Sequence, residues 1–279
     1  MAMLPAFVDG PGAQPQRGGL VTNALDGDTD VDWLKGVQWW PEDIAGYQLA
    51  SECSTATTSI GSVDYTRPVM AQPVLIRTNQ KAPKSSLLDL ADRARRRLVS
   101  ITSQALAREL WLGEQTTAAP YQVAGSISWS NPSPSSGTYT NPYLTMPPAL
   151  TVTGTLSAPA AVSAVEEALA GLVSGGPLYL HVPMALITEL GAVLQRQGDV
   201  LMTPRGSVVI ADYGYPAPSG STAAIYGTGP VLKWLGEPAA YDEPSEYLRV
   251  SDNHIEVWAD RPALALFDPC TLVSAQVTP

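Results

Sequence analysis

The chain has 279 residues, enough for one large domain or two smaller ones with a real core, and a hydrophobic content of 45% excludes a disordered chain. Charged residues make up only 15%, beside 25 Pro and 23 Gly, so much of the surface is expected to be covered by oligomer contacts or packed loops. A net charge of −10 excludes non-specific nucleic-acid affinity through overall charge. Cys53 and Cys270 make no disulfide framework and no metal-ligand spacing. No apolar run reaches the length of a membrane span. The opening MAMLPAFVDGPG lacks the basic and apolar blocks of a signal peptide, so synthesis and assembly in cytoplasm, without a cleaved leading segment, are expected.

Residues 1–30 read as an extended arm, with PGAQPQRGG leading into DGDTDVD. Such an arm is ordered when something holds it, and a neighbouring subunit is the expected holder. Residues 31–50 carry Trp33, Trp39 and Trp40, expected as a packing anchor, with a stacking platform as the sharper alternative. Residues 51–83 are Ser/Thr-rich and end in VLIRTN, which predicts a long two-stranded excursion bounded by Pro68, Pro73 and Pro83.

The most regular stretch follows: KSSLLDLADRARRRLVSITSQALARELWLG. Leu87, Leu90, Ala91, Ala94, Leu98, Ile101, Ala105, Leu106 and Leu110 recur at helical spacing and predict a helix over 86–112, a rod of about 40 Å. Ser86 and Asp89 make a capping-box signature, and Gly113 stands where a left-handed residue ends a helix. Arg93, Arg95, Arg96, Arg97 and Arg108 lie largely off the apolar stripe. With Arg77, Lys81 and Lys84 just upstream they concentrate the positive charge, and the patch reads as a solvated face or as a contact for a polyanion or an acidic neighbouring subunit.

Residues 114–155 support no helix; strands near 126–129 and 150–155 flank a long loop, expected as an interaction surface. From Ser157 the pattern becomes compact α/β: a helix over 157–173, a buried strand over 178–182, and a second helix over 184–197 stopped by Gly198. A hairpin starts at Leu201 and Met202, turns at Pro204-Arg205-Gly206 and returns as SVVIADYG. Further strands are predicted near 223–226, 231–235, 247–250 and 254–258, and ALALFDPCTLVSAQV reads as strands closing a sheet.

Signals for chemistry are sparse. His181 lies in the apolar strand LYLHV and His254 in the turn SDNH, neither with a partner at metal-ligand spacing. The motifs GxSxG, GxxxxGK[ST], HExxH and GxGxxG after a strand do not occur. GTGPV at 227–231 has no Lys and leads into a strand, so it reads as a turn. The adjacent acids Glu166-Glu167 and Asp242-Glu243 point apart and are expected to be solubility residues. DGDTDVD lacks the glycine and bidentate Glu of a calcium loop. No catalytic residue, cofactor or metal is expected, and the chain does not read as an enzyme.

The order of parts resembles the major capsid protein of tailed bacteriophages, the Hong Kong 97 type. The wording resembles those of actinobacterial phages in KGVQWWPED, ARELWLG, LYLHVPMALITELGAVLQRQGDVLMTPRGSVVIADYGYP, IYGTGPV and DRPALALFDPCTLVSAQV. The resemblance implies an α+β subunit: an N-terminal arm (1–32), the Trp-rich anchor segment (33–50), an E-loop (51–83), a peripheral domain (84–156) with the spine helix (86–112), an axial domain (157–250) and closing C-terminal strands (251–279). It implies a structural shell protein in a virion, assembling into hexamers, pentamers or both around double-stranded DNA. DNA is met by non-specific proximity, portal, scaffold or decoration proteins are further partners, and no membrane is involved. Arg93, Arg95, Arg96, Arg97, Lys81 and Lys84 would then form an intersubunit or DNA-facing patch. Lys81 and Lys84 lie at the base of the excursion, not its tip, so covalent cross-linking is not expected. An encapsulin-type shell and, from another class, a carbohydrate-binding β-rich module built on 114–155 are the alternatives.

Overall fold

The computed structural model describes residues 16–28, 30, 32–35, 37–39, 69–71, 73–83, 89–113, 122–124, 142–173, 176–218, 222–242 and 254–278. In chain order these form α1 (Leu20–Asn23), β1 (Leu25–Asp26), β2 (Val37–Trp39), β3 (Val69–Ala71), β4 (Val74–Pro83), α2 (Leu90–Leu112), β5 (Gln122–Ala124), β6 (Leu150–Leu156), α3 (Ala158–Ala170), β7 (Tyr179–Pro183) and α4 (Ile187–Leu190). Then come β8 (Gln195–Gln197), β9 (Val200–Met202), β10 (Val208–Asp212), β11 (Ala223–Thr228), β12 (Val231–Leu235), β13 (Ala239–Asp242), β14 (His254–Phe267) and β15 (Val273–Val277).

Two sheets organise the molecule. One is six-stranded, in the order β1-β12-β14-β4-β5, with β13 also on β14. The other is seven-stranded and mixed, in the order β6-β15-β11-β7-β10-β9-β8. β2 and β3 pair separately and antiparallel, Val37 opposite Ala71. The chain crosses between the two large sheets at Gly229-Pro230, between β11 and β12, and back at Pro269–Thr271, between β14 and β15. The crossings touch: the Gly229 N–H donates to Thr271 Oγ1 at 2.9 Å.

α2 lies across β14, β4 and β13. Its stripe of Leu90, Ala94, Leu98, Ala105, Leu106 and Leu110 is buried there with Val74, Ile76, Val257, Ala263 and Phe267. Asp89 caps the helix, its side chain accepting the Asp92 N–H at 2.9 Å. The helix thus starts at Leu90 and not at 86, because the extended Asp89 is its cap; Ser86 itself lies outside the described residues. Gly113 ends the helix at φ 64°, and a side chain there would run into the Tyr143 ring. A second core forms where α3 places Val162, Val165 and Leu169 against Leu180, Val182, Ile225, Val273 and Ala275 of the seven-stranded sheet.

Four expectations are corrected. The helix over 184–197 is a 3-10 turn (Met184–Leu186) and the single turn of α4; the chain is extended again from Gln195. Gly198 does not stop a helix: it sits at φ 64° in the two-residue turn between β8 and β9, with Gln197 opposite Val200. Glu166 is not a solubility residue: it is 4% exposed, accepts the Thr203 hydroxyl and faces Arg205, because α3 turns it onto the β9–β10 hairpin. The closing segment completes two sheets, since β14 and β15 belong to different ones. The strands expected near 126–129 and 247–250 lie outside the described residues.

Candidate assembly surface

Arg93, Arg95, Arg96 and Arg97, singled out in the sequence, lie on α2, and their placement depends on how α2 is held. Its inner side meets a buried polar junction on the seven-stranded sheet. Asp212, at the end of β10, is fully buried, and its Oδ2 accepts the Ser103 hydroxyl of α2 at 2.7 Å and the Leu20 N–H of α1 at 2.9 Å. Its Oδ1 accepts the Gly214 N–H at 2.9 Å. The Ser103 hydroxyl in turn accepts the Val21 N–H at 3.2 Å. Gly19 and Gly214 allow this closeness: a Cβ on Gly19 would stand 2.6 Å from Asp212 Oδ2, and one on Gly214 2.1 Å from the Gln104 carbonyl of α2. Gln16 adds a clamp, its amide donating to the Ala211 carbonyl at 2.9 Å while its carbonyl oxygen accepts the Tyr213 N–H at 3.1 Å. The N-terminal segment thus enters the molecule between α2 and β10.

Beside this junction, His181 is fully buried on β7. Its Nε2 lies 3.1 Å from the Thr228 hydroxyl, whose own hydrogen goes to the Gly229 carbonyl at 3.0 Å. The network therefore assigns the N–H to Nε2, and Nδ1 accepts the Tyr215 hydroxyl at 2.7 Å. Burial lowers the His181 pKa to about 3, and burial together with the Asp212 charge holds the Tyr215 phenol well above its ordinary value. His181 is thus a neutral core residue with both ring nitrogens hydrogen-bonded. Trp111, near the end of α2, packs on Tyr215 at 4.7 Å and edge-on to Tyr226 at 5.0 Å between ring centroids.

The outer side of α2 carries the basic residues. Arg96 pairs with Asp92 at 3.0 Å, one helical turn away. Arg95 and Arg97 are exposed and Arg93 is half-buried; among the described residues none of the three has an ion-pair partner. Lys81 is exposed on β4, and Lys84 lies outside the described residues. Arg77 is engaged elsewhere, in a two-bond pair with Asp260 across β4 and β14 at 2.8 and 2.9 Å.

The acids of DGDTDVD, which lack the pattern of a calcium loop, lie along the β1 edge of the six-stranded sheet. β1 pairs with β12, the Gly27 N–H donates to the Lys233 carbonyl at 2.8 Å, and Trp234 Nε1 donates to the Asp28 carbonyl at 2.9 Å. Asp26 bridges to Lys233 Nζ at 2.8 Å, whereas Asp28 and Asp30 are exposed. Trp33 packs against the small cluster of Ala71, Trp234, Leu264 and Leu266; the Trp39 and Trp40 side chains of the expected anchor lie outside the described residues.

Among the described residues no group of His, Cys, Asp or Glu could hold a metal ion, and no helix is long and apolar enough to cross a membrane. No protein-family model and no curated protein sequence matches the chain. Solved structures do match. The capsid of an empty GTA particle superposes with a TM-score of 0.55 at 12% identity, covering 100% of this chain and 95% of that one. The capsid of the native GTA particle gives 0.54 at 12% identity, covering 100% and 96%. The structure of Mycobacterium phage Ogopogo gives 0.51 at 13% identity, covering 99% and 97%. The superposition spans the whole subunit, both sheets and the long helix included, and the chain therefore has the α+β fold of phage major capsid proteins that its sequence resembles.

Proposed function

We propose that this chain is a structural shell protein, a major capsid subunit that self-assembles into hexamers, pentamers or both to build an icosahedral phage head around double-stranded DNA. The observation that carries this reading is the end-to-end correspondence with capsid subunits, 100% of this chain against 95% of a GTA capsid chain. The composition agrees: a subunit with 15% charged residues and a Pro/Gly-rich chain has surface to cover against copies of itself. Shell closure uses heterologous contacts repeated by rotation. The role is structural and not catalytic, the protein's place is the virion after assembly in host cytoplasm, and portal, scaffold or decoration proteins are its further partners. The arm, E-loop, peripheral and axial divisions named for the sequence are the working domain map. The basic residues of α2, with Lys81 and Lys84, are a contact surface of the assembled shell.

Negative-stain imaging and light scattering of the purified chain test this reading. Closed shells, or capsomer rings of five or six, are the expected result. A monodisperse monomer or dimer at high concentration overturns it.

A further inference from the structure

The basic side of α2 is unbalanced in a particular way. Arg93 and Arg97 stand one turn apart on the same flank of the helix, where like charges repel by about 0.2–0.5 kcal/mol. Arg96 has Asp92 beside it; among the described residues Arg93 and Arg97 have no ion-pair partner. Elsewhere in the molecule, Asp28 and Asp30 project from a ridge that is held rigidly. The Trp234 indole lies so close under Gly27 that a Cβ there would be 1.9 Å from it, and the backbone on either side is bonded to β12. Among the described residues these acids make no ion pair with the arginines of their own subunit. β1 is the edge strand, separated from β14 by β12, and Arg93 and Arg97 are not among the residues that α2 buries.

The ridge also looks like surface that something covers. Among the described residues, the large apolar side chains left exposed are Leu25, Leu34, Leu150 and Tyr213, and the first two flank the ridge at 42% and 39% exposure. Apolar side chains beside fixed charges occur at protein–protein contacts.

Resting on the shell reading above, we propose that the Asp28/Asp30 ridge of one subunit docks on the Arg93/Arg97 flank of α2 in a second copy of this chain. The contact joins two different surfaces, so it propagates head to tail and closes only by rotation, as a ring or shell requires. A chain with net charge −10 supplies this acidic partner in every copy, which favours it over packaged nucleic acid as the occupant.

Charge exchange tests it. Arg93→Glu/Arg97→Glu and Asp28→Lys/Asp30→Lys each place like charges across the contact and are expected to cut the assembled fraction at least tenfold in light scattering and negative stain. The four-fold variant carrying both changes restores opposite charge in reversed sense and is expected to recover assembly. Asp28→Asn/Asp30→Asn keeps the oxygen that accepts the Asp30 N–H and is expected to weaken assembly less than reversal. Circular dichroism melts establish that each chain is folded; should a reversal variant not fold, the neutral pair decides alone, wild-type assembly by it overturning the proposal. Wild-type assembly by either reversal variant, or failure of the folded four-fold variant to recover, also overturns it. Shells that form normally from the arginine variant but no longer retain DNA assign the flank to nucleic acid and overturn it too. If the wild-type chain forms no rings or shells, the shell reading itself has failed; if it does and the exchange has no effect, only this contact has.

Discussion

Asp212 accepts the Ser103 hydroxyl at 2.7 Å, and this bond joins the long helix to the centre of the opposite sheet. The same carboxylate also takes the Leu20 and Gly214 N–H groups, so one side chain holds the N-terminal segment, α2 and the β10 turn together. Ser103→Ala removes one donor and is expected to cost about 1–3 kcal/mol; Asp212→Ala orphans buried N–H groups as well and costs more. Urea unfolding of the unassembled subunit, followed by Trp fluorescence, measures both. Equal midpoints for wild type and Asp212→Ala would refute a structural role for the junction.

The buried imidazole makes the fold acid-sensitive. The folded pKa of His181, about 3, lies below its ordinary value of 6.5, so as pH falls the unfolded chain takes the proton first. The stability that neutral His181 contributes is complete above about pH 6.5 and declines from there toward pH 3, by about 1.4 kcal/mol per unit. His181→Gln is expected to flatten this part of the pH–stability curve whatever its effect on absolute stability. A wild-type slope that persists unchanged in the variant would assign it to other groups.

Two glycines should behave oppositely. A methyl group on Gly214 would meet the Gln104 carbonyl at 2.1 Å and Ala107 Cβ at 2.9 Å. Gly214→Ala therefore pushes α2 from the β10 turn, at a cost of about 1–3 kcal/mol or more. Gly171, past the end of α3, has φ −82° and its nearest contact at 3.4 Å, so Gly171→Ala is expected within about 0.5 kcal/mol of wild type. Thermal unfolding of the two variants side by side checks the contrast.

Arg77 holds Asp260 through two parallel bonds, with its guanidinium 5.7 Å above the Trp258 ring. Lysine cannot supply the two-bond fork. Arg77→Lys is expected to cost about 1 kcal/mol, and the loss should persist at raised salt because part of it is geometric. Complete recovery of stability by Arg77→Lys would reduce the pair to a simple charge contact.

The long helix was legible because its stripe from Leu90 to Leu110 has one period and no interruption. Its start was not, since Asp89 and Ser86 both satisfy the local cap rule and only the folded chain selects the bond from Asp92 N–H to Asp89. The stretch after Pro183 misled because Leu186, Leu190, Val193 and Leu194 keep helical spacing through Gly191. Pairing of Gln195–Gln197 with Val200–Met202 outweighs that weak propensity, and Gly198 then supplies the turn. Glu166 read as a surface acid because nothing in its neighbourhood announces Thr203 and Arg205, which arrive from the β9–β10 hairpin. The Asp212 junction was invisible for the same reason: Leu20, Ser103 and Asp212 are far apart in sequence, and none carries a motif.

The ladder between β4 and β14 runs from Val74 opposite Ala263 to Pro83 opposite His254. Its two strands are far apart in sequence, so the middle of the six-stranded sheet stays open until β14 has been made. A half-made chain has α2 but no β14 to lay it on. β14 is therefore a long-range support of the helix: without it α2 loses Val257, Ala263 and Phe267 from the face it packs on.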